Sequence, residues 1–277
     1  MDEFGLRWLL RRMKVHPNAF YNYLLGTKAD YYTNRAKILD EITNIYHEYD
    51  GILGHRAMKV FLSRKGIFLS KTTVHKYMNR SLGLRSICRR KKPPYKKGHP
   101  HKVFPNLLLQ SFRAEKPNTI WCTDFTYLSL SNGSLRFNCT ILDLYDRSVI
   151  ASITDRHITS DLAIETLKKA IASQGHIPEG LILHSDQGRQ YTSLEFIQYC
   201  QENGITQSMS KTGCPYDNAP MERYYNSLKE ELINRYYFRT EDDLYRAISE
   251  YAYGWYNQVR PHAYNNYLTP YEVRYGS

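Results

Sequence analysis

No stretch of this 277-residue chain approaches the roughly 18 consecutive apolar residues that a membrane-spanning helix requires. The basic N-terminus also lacks an apolar core followed by a cleavage site, so neither insertion into a membrane nor export is expected, and the cytoplasm is the predicted compartment. Cysteine is sparse: five residues, at 88, 122, 139, 200 and 214, form no CxxC pair and no Cys/His zinc spacing. A disulfide framework is thereby excluded, and buried free thiols are the expected state. Acidic residues are scarce in one part only. Residues 1–118 carry 24 Lys and Arg against 8 Asp and Glu, whereas residues 119–277 carry 14 against 19. The formal charge of +11 therefore belongs to the first part. Within it, residues 85–102 (RSICRRKKPPYKKGHPHK) hold eight Lys and Arg and no acid, a run that repels itself unless a polyanion neutralises it. Nucleic acid is the expected partner of such a module.

The first part reads as helical. MDEFGLRWLLRRMKVHPNAFYNYLLG mixes apolar and basic residues at helical spacing and is interrupted at His16-Pro17, which predicts two short helices. From Asn34, Ile38, Ile42 and Ile45 share one face up to a stop at Gly51, and the next helix turns Met58, Phe61 and Leu62 inward. Ser70 can cap a further helix that ends at Gly83. The pair joined by KGIFLS, over about 52–83, reads as a helix-turn-helix whose second helix offers Lys71, Thr72, His75 and Lys76 to a major groove. An ordinary helical bundle with a solvated basic face is the plain alternative. Residues 1–87 form this region. Residues 88–118, with prolines at 93, 94, 100 and 105 and the cations Arg89, Arg90, Lys91, Lys92, Lys96 and Lys97, read as a basic linker toward DNA.

From Thr119 the pattern changes. TIWCTDFTYLSL, SLRFNCTILDLYD and SVIASITD read as strands rich in β-branched and aromatic residues, the first two joined at Ser131-Asn132-Gly133. A helix capped by Ser160 and stopped by Gly175 follows, then the strand LILHSD, a helix, the short strand ITQSMS, and a helix carrying Glu222. The order βββαβαβα predicts a mixed α/β sheet flanked by helices over residues 119–277, with a C-terminal helical tail.

Three acids lie on separate elements of this second part: Asp124 in the first strand, Asp186 at the end of the fourth, and Glu222 after 35 intervening residues. Carboxylates brought together repel one another unless a cation intervenes, and Mg²⁺ is held by a few carboxylates together with water and phosphate oxygens. Two such ions suit in-line displacement at phosphorus. Lys229, seven residues after Glu222, lies on the same helical face, where it can hold a phosphate or be merely solvated. Asp217 reads as a helix cap, Asn218 as a cap that could instead orient the Glu222 carboxylate, His184 as structural rather than a base, Asp143 as a mid-sheet residue away from any metal, and the tyrosine-rich tail as core rather than a surface that stacks on bases.

WCTDFTYL, HSDQGRQYTS, DNAPMERYYNSLKEEL and YNQVRPHAYNNYLTPYE, in this order and with the 35-residue spacing, resemble the insertion-sequence transposases with an integrase-like core, of the retroviral-integrase (DDE) superfamily. The resemblance implies a ribonuclease-H-like fold and a triad of Asp124, Asp186 and Glu222 holding two Mg²⁺, with Mn²⁺ able to substitute. It also implies a basic DNA contact at Lys229, and double-stranded DNA as both element end and target. A homo-oligomer on DNA is expected, as is a partner from an upstream reading frame that supplies a further helix-turn-helix and a coiled coil. Two departures are visible: Gly54-His55-Arg56 stands where the family more often has Gly-Tyr-Arg, and no sustained heptads precede residue 90. A ribonuclease-H-like nuclease and a catalytically silent DNA-binding regulator are the alternatives. The former would not need the RPH tail, and the latter would typically have lost a carboxylate.

Overall fold

His16 and Pro17 divide the first two helices, α1 (Leu6–Arg12) and α2 (Pro17–Leu24), with His16 as N-cap and Pro17 at the first helical position. The computed structural model describes residues 5–86 and 102–276 and divides into two compact units at residue 87. In the first unit α3 (Thr27–Glu48) starts seven residues before the expected Asn34 and is followed by Gly51, whose φ of +73° only glycine adopts freely. It is followed by α4 (His55–Arg64) and α5 (Lys71–His75), the latter continued by a π-helical turn, Lys76–Ser81. The Ser70 hydroxyl accepts from the Thr73 amide at 3.1 Å, the predicted cap. Ile42, Ile45, Met58, Phe61, Leu62, Val74 and Met78 form the buried interior, as the apolar spacing requires.

The second unit is built on five strands, β1 (Ile120–Ser129), β2 (Leu135–Asp143), β3 (Val149–Asp155), β4 (Ile182–Ser185) and β5 (Thr206–Met209), in the order β3-β2-β1-β4-β5. β1 to β3 form an antiparallel meander, and β4 pairs parallel with β1 on one side and β5 on the other. This is the ribonuclease-H-like arrangement that the order of elements predicts. Helices α6 (Ser160–Gln174), α7 (Arg189–Thr192) and α8 (Leu194–Glu202) cover one face, where Trp121, Ile141, Ala163, Leu167, Leu183, Tyr191 and Phe196 are buried together. Thr159, rather than Ser160, caps α6, accepting from the Leu162 amide. On the other face α9 (Ala219–Leu228) buries Met221, Tyr224, Tyr225 and Leu228 against Cys122 and Leu142. A π-helical turn, Lys229–Ile233, follows it, then α10 (Glu241–Ser249), the π-helical segment Glu250–Val259 and α11 (Pro270–Tyr275).

Residues from Phe104 onward pack against the second unit, although composition reads them as linker. Leu108 is buried beside Cys122, the Leu107 amide donates to the Ser208 hydroxyl, and the Asn106 side chain donates to Asp217. Composition misses this because prolines and cations mark a boundary without saying on which side of it the chain docks. Cys122, Cys139 and Cys200 are buried free thiols as expected, whereas Cys214 is exposed on the loop after β5; Cys88 lies outside the described residues.

The tail closes the unit. Arg274 on α11 reaches back to the fully buried Asp143 and Asp146, with Nη2 to Asp143 and Nε to Asp146 each at 2.5 Å. Glu231 is similarly enclosed: it accepts from the Tyr251 hydroxyl, the Trp255 indole and the Arg260 guanidinium. Tyr251 and Tyr256 are buried, as the spacing predicts, whereas Tyr264, Tyr271 and Tyr275 are exposed, so the core reading holds for the first part of the tail only.

Candidate catalytic site and nucleic-acid interface

Parity along the strands decides which side chains share a face. On β1, Trp121 and Phe125 pack with the α6–α8 side, whereas Cys122 packs with the α9 side. Asp124 is two residues on from Cys122 and therefore lies on the α9 side. On β4, Leu183 belongs to the α6–α8 side and Ile182 to the α9 side, which assigns His184 and Asp186 to the latter. The parallel register pairs Cys122 with His184, and each aspartate follows its strand partner two residues later, Asp186 just beyond the last residue of β4. Both aspartates are partly buried. Oδ1 of Asp186 accepts from the Gly188 amide at 2.8 Å, and Oδ1 of Asp124 accepts from the Phe125 amide at 2.8 Å.

Glu222 stands on the first turn of α9 and is exposed. Two contacts tether that turn to β1. Asn218 Nδ2 donates to the Thr123 carbonyl at 3.1 Å, and the Tyr225 hydroxyl donates to the Asp124 carbonyl at 2.5 Å. Asn218 therefore does not cap α9 with its side chain. The short 3₁₀ turn Pro215–Asn218 leads directly into the helix, and Pro220 removes one of the amides that a cap would bind. Asp217 does not cap either. Its carboxylate accepts from the Lys211 amide and the side chains of Gln110 and Asn106, and these bonds hold it below the usual carboxylate range.

His184 is fully buried. Its Nε2 lies 2.8 Å from the Asp217 carbonyl, which can only accept, so the ring proton sits there and Nδ1 accepts from the Ser208 hydroxyl at 2.8 Å. Burial lowers its pKa, and both ring nitrogens are engaged in holding β4, β5 and the loop before α9 together. Among the described residues, no three His, Cys, Asp or Glu side chains are gathered tightly enough to hold an ion. The donor set still suits a hard cation, since every candidate ligand is a carboxylate oxygen, and the missing side chain at Gly188 leaves the space that Asp186 Oδ1 occupies.

Lys229 follows the last α-helical residue of α9 and keeps helical dihedrals, so it remains on the Glu222 face and is partly buried. In the first unit, Lys71, Thr72, His75 and Lys76 line one cleft of about 490 Å³ together with His55, Arg56 and Arg80. His55 and His75 meet edge to face, ring centroids 5.0 Å apart. The sequence reading missed His55, Arg56 and Arg80; His55 and Arg56 stand on α4, and only the packing of α4 against α5 brings them in. Arg89, Arg90, Lys91, Lys92, Lys96 and Lys97 lie outside the described residues.

The family description "Integrase core domain" matches twice, over residues 114–215 and 203–270, and "HTH-like domain" matches residues 33–92. The transposase for insertion sequence element IS904 of Lactococcus lactis subsp. lactis (strain IL1403) is 32% identical over 237 residues, 85% of this chain and 92% of that one. The chain belongs to the insertion-sequence transposases. The transposase InsF for insertion sequence IS3A of Escherichia coli (strain K12) is 34% identical over 275 residues, 97% and 93% of the two chains. Among solved structures, the HTLV-2 integrase catalytic core domain in complex with magnesium (trimeric form) aligns to this transposase at 22% identity. Its TM-score is 0.47, and the alignment covers 59% of this chain and 100% of that one. No helix among the described residues of the transposase is long and apolar enough to cross a membrane.

Proposed function

We propose that the transposase cuts and joins DNA at the ends of an insertion sequence, with Asp124, Asp186 and Glu222 as its catalytic carboxylates. The observation that supports this reading is the parallel pairing of β1 with β4, with Asp124 two residues after Cys122 and Asp186 two residues after its partner His184, together with the bonds that tether α9 to β1. These three side chains would hold two Mg²⁺ ions, or Mn²⁺ in their place. Bound there, the ions would supply activation of the attacking oxygen and stabilisation of the leaving oxygen at phosphorus.

The reaction has two stages. Water displaces one phosphodiester oxygen and exposes a 3′-hydroxyl, and that hydroxyl then displaces an oxygen of a second phosphodiester, joining the strands. No protein side chain becomes covalently attached. His184 holds strands together and takes no part in proton transfer, since both of its ring nitrogens are occupied in the interior. Lys229 holds a DNA phosphate beside Glu222. The cleft of the first unit grips duplex DNA through Lys71, Thr72, His75 and Lys76, and the basic run 85–102 neutralises further phosphates. The enzyme works in the cytoplasm on nucleoid DNA, as a homo-oligomer that brings element ends and target together, in concert with an upstream-frame product.

The test is incubation of the purified chain with supercoiled plasmid and Mg²⁺ or Mn²⁺, alone and with the upstream-frame product fused, beside Asp186→Asn and Glu222→Gln. Breaks ending in 3′-hydroxyl that disappear in both variants, with DNA affinity retained, are expected, and joined products separate a transposase from a simple nuclease. Loss of DNA affinity together with activity would make Asp186 structural and defeat the assignment.

A further inference from the structure

Apolar packing holds α9 on the sheet without fixing its register, because Met221 and Leu228 can slide or turn against Cys122 and Leu142 at little cost. Hydrogen bonds are directional and can fix it. Two of them bracket Glu222. Asn218, four residues before it, donates to the carbonyl of Thr123, and Tyr225, three residues after it, donates to the carbonyl of Asp124. Tyr225 lies one turn beyond Glu222 on α9, and Asn218 is the residue that leads into the helix. The two acceptors are consecutive residues of β1, one of them Asp124 itself. The Asn138 carbonyl of β2 lies 3.2 Å from the same tyrosine hydroxyl, so Tyr225 also ties α9 to the neighbouring strand.

One bond alone would leave α9 free to pivot about it. Two bonds, seven residues apart on the helix and one residue apart on the strand, fix both the rotation of α9 and its position along β1. The cost of the arrangement is visible. Asn218 stands at the N-cap position but makes no cap, and its Oδ1 is buried with no partner among the described residues. A buried acceptor left unsatisfied is unfavourable, so the strand contact is kept against the local preference of the residue. Tyr225 is likewise buried, with its hydroxyl aimed at strand carbonyls.

We propose that Asn218 and Tyr225 are positioning residues that lock the Glu222 helix to β1, and that this lock sets how Glu222 meets Asp124 and Asp186; the proposal rests on the carboxylate reading above. The lock acts through Glu222 and touches neither DNA nor metal.

The test compares Tyr225→Phe, Asn218→Ala and the double variant with Tyr251→Phe in the full chain. Tyr251 is a suitable comparison because its hydroxyl bonds Glu231 at 2.9 Å, inside the same unit but not at β1. Four quantities are read: kcat and KM for DNA cleavage with Mn²⁺, calorimetric Mn²⁺ affinity without DNA, and the thermal midpoint. Tyr225→Phe and Asn218→Ala are expected to lower kcat roughly 10- to 100-fold at unchanged KM and to weaken Mn²⁺ binding. The double variant should be little worse than the worse single one, because breaking either bond releases the helix. Tyr251→Phe should lower the midpoint and leave kcat and Mn²⁺ affinity as they were.

Wild-type Mn²⁺ affinity and kcat in Tyr225→Phe, fully multiplicative losses in the double variant, or an equal kcat loss in Tyr251→Phe would each overturn the lock. Should Tyr225→Phe fail to fold, Asn218→Ala carries the same readouts. The two hypotheses fail separately: cleavage that survives Asp124→Asn defeats the carboxylate reading, whereas inert triad variants beside a normal Tyr225→Phe defeat only the lock.

Discussion

The carboxylate of Asp186 fills the space where a side chain on Gly188 would begin: a Cβ there would stand 2.8 Å from Asp186 Oδ1 and 2.8 Å from Gln190 Oε1. The Gly188 backbone, with φ of −62°, is open to any residue, so the glycine is required by crowding and not by conformation. Gly188→Ala should therefore leave the thermal midpoint close to wild type while lowering metal-dependent cleavage on the order of 10²-fold through a displaced Asp186. A parallel melt and plasmid-cleavage assay checks both halves, and unchanged cleavage would mean that Asp186 does its work from another position.

Arg274 holds two fully buried carboxylates, Asp143 and Asp146, each also bonded to backbone amides. Burial raises the pKa of Asp143, and the guanidinium opposes that rise. Arg274→Met removes the guanidinium paired with both of them and should cost about 3–5 kcal/mol of stability, as breaking a buried ion pair does. Urea unfolding of the variant measures it. Cleavage at low temperature should persist, because neither aspartate belongs to the proposed site.

Two histidines make the second unit sensitive to acid. Burial pushes His262 down to about 3, with Arg260 and Arg147 adding to the effect, and it lowers His184 as well. Unfolding returns both to the ordinary value of 6.5, so below that pH the unfolded chain binds more protons than the folded one. Their contribution to stability is complete above pH 6.5 and is lost progressively as pH falls toward the folded values. The thermal midpoint should decline from about pH 6.5 to 5, above the usual carboxylate range, and His262→Asn should flatten the slope. An unaltered slope in that variant would exclude His262 as its source.

The cleft of the first unit contains Arg56 on α4 and Lys76 in the turn after α5. If both meet phosphate, Arg56→Ala and Lys76→Ala should each weaken binding across unrelated duplex sequences and each lower the slope of log affinity against log salt by about 0.9. Fluorescence anisotropy at several salt concentrations measures it. A loss confined to one sequence would instead assign a base contact.

Much of the molecule was legible in its residues because it rests on local rules. Alternation of β-branched and aromatic residues marked β1 to β5, and Ser70, Gly51 and Gly175 marked helix ends, since caps and positive φ are decided within a few residues. The three carboxylates were legible by spacing and resemblance, and their placement on β1, at the end of β4 and on α9 agrees with the elements expected to carry them.

Contacts distant in sequence could not be read this way. The link between Arg274 and Asp143 spans 131 residues, and that between Asn106 and Asp217 spans 111. Asn218 looked like a cap because its neighbours favour one, but the approach of β1 redirected its amide to Thr123. The sequence by itself determined which segments become strands and helices and which acids they carry. Only the tertiary structure decided that β4 lies parallel beside β1 with Cys122 paired to His184, because strand pairing and packing are chosen by the whole set of surfaces that must be buried together.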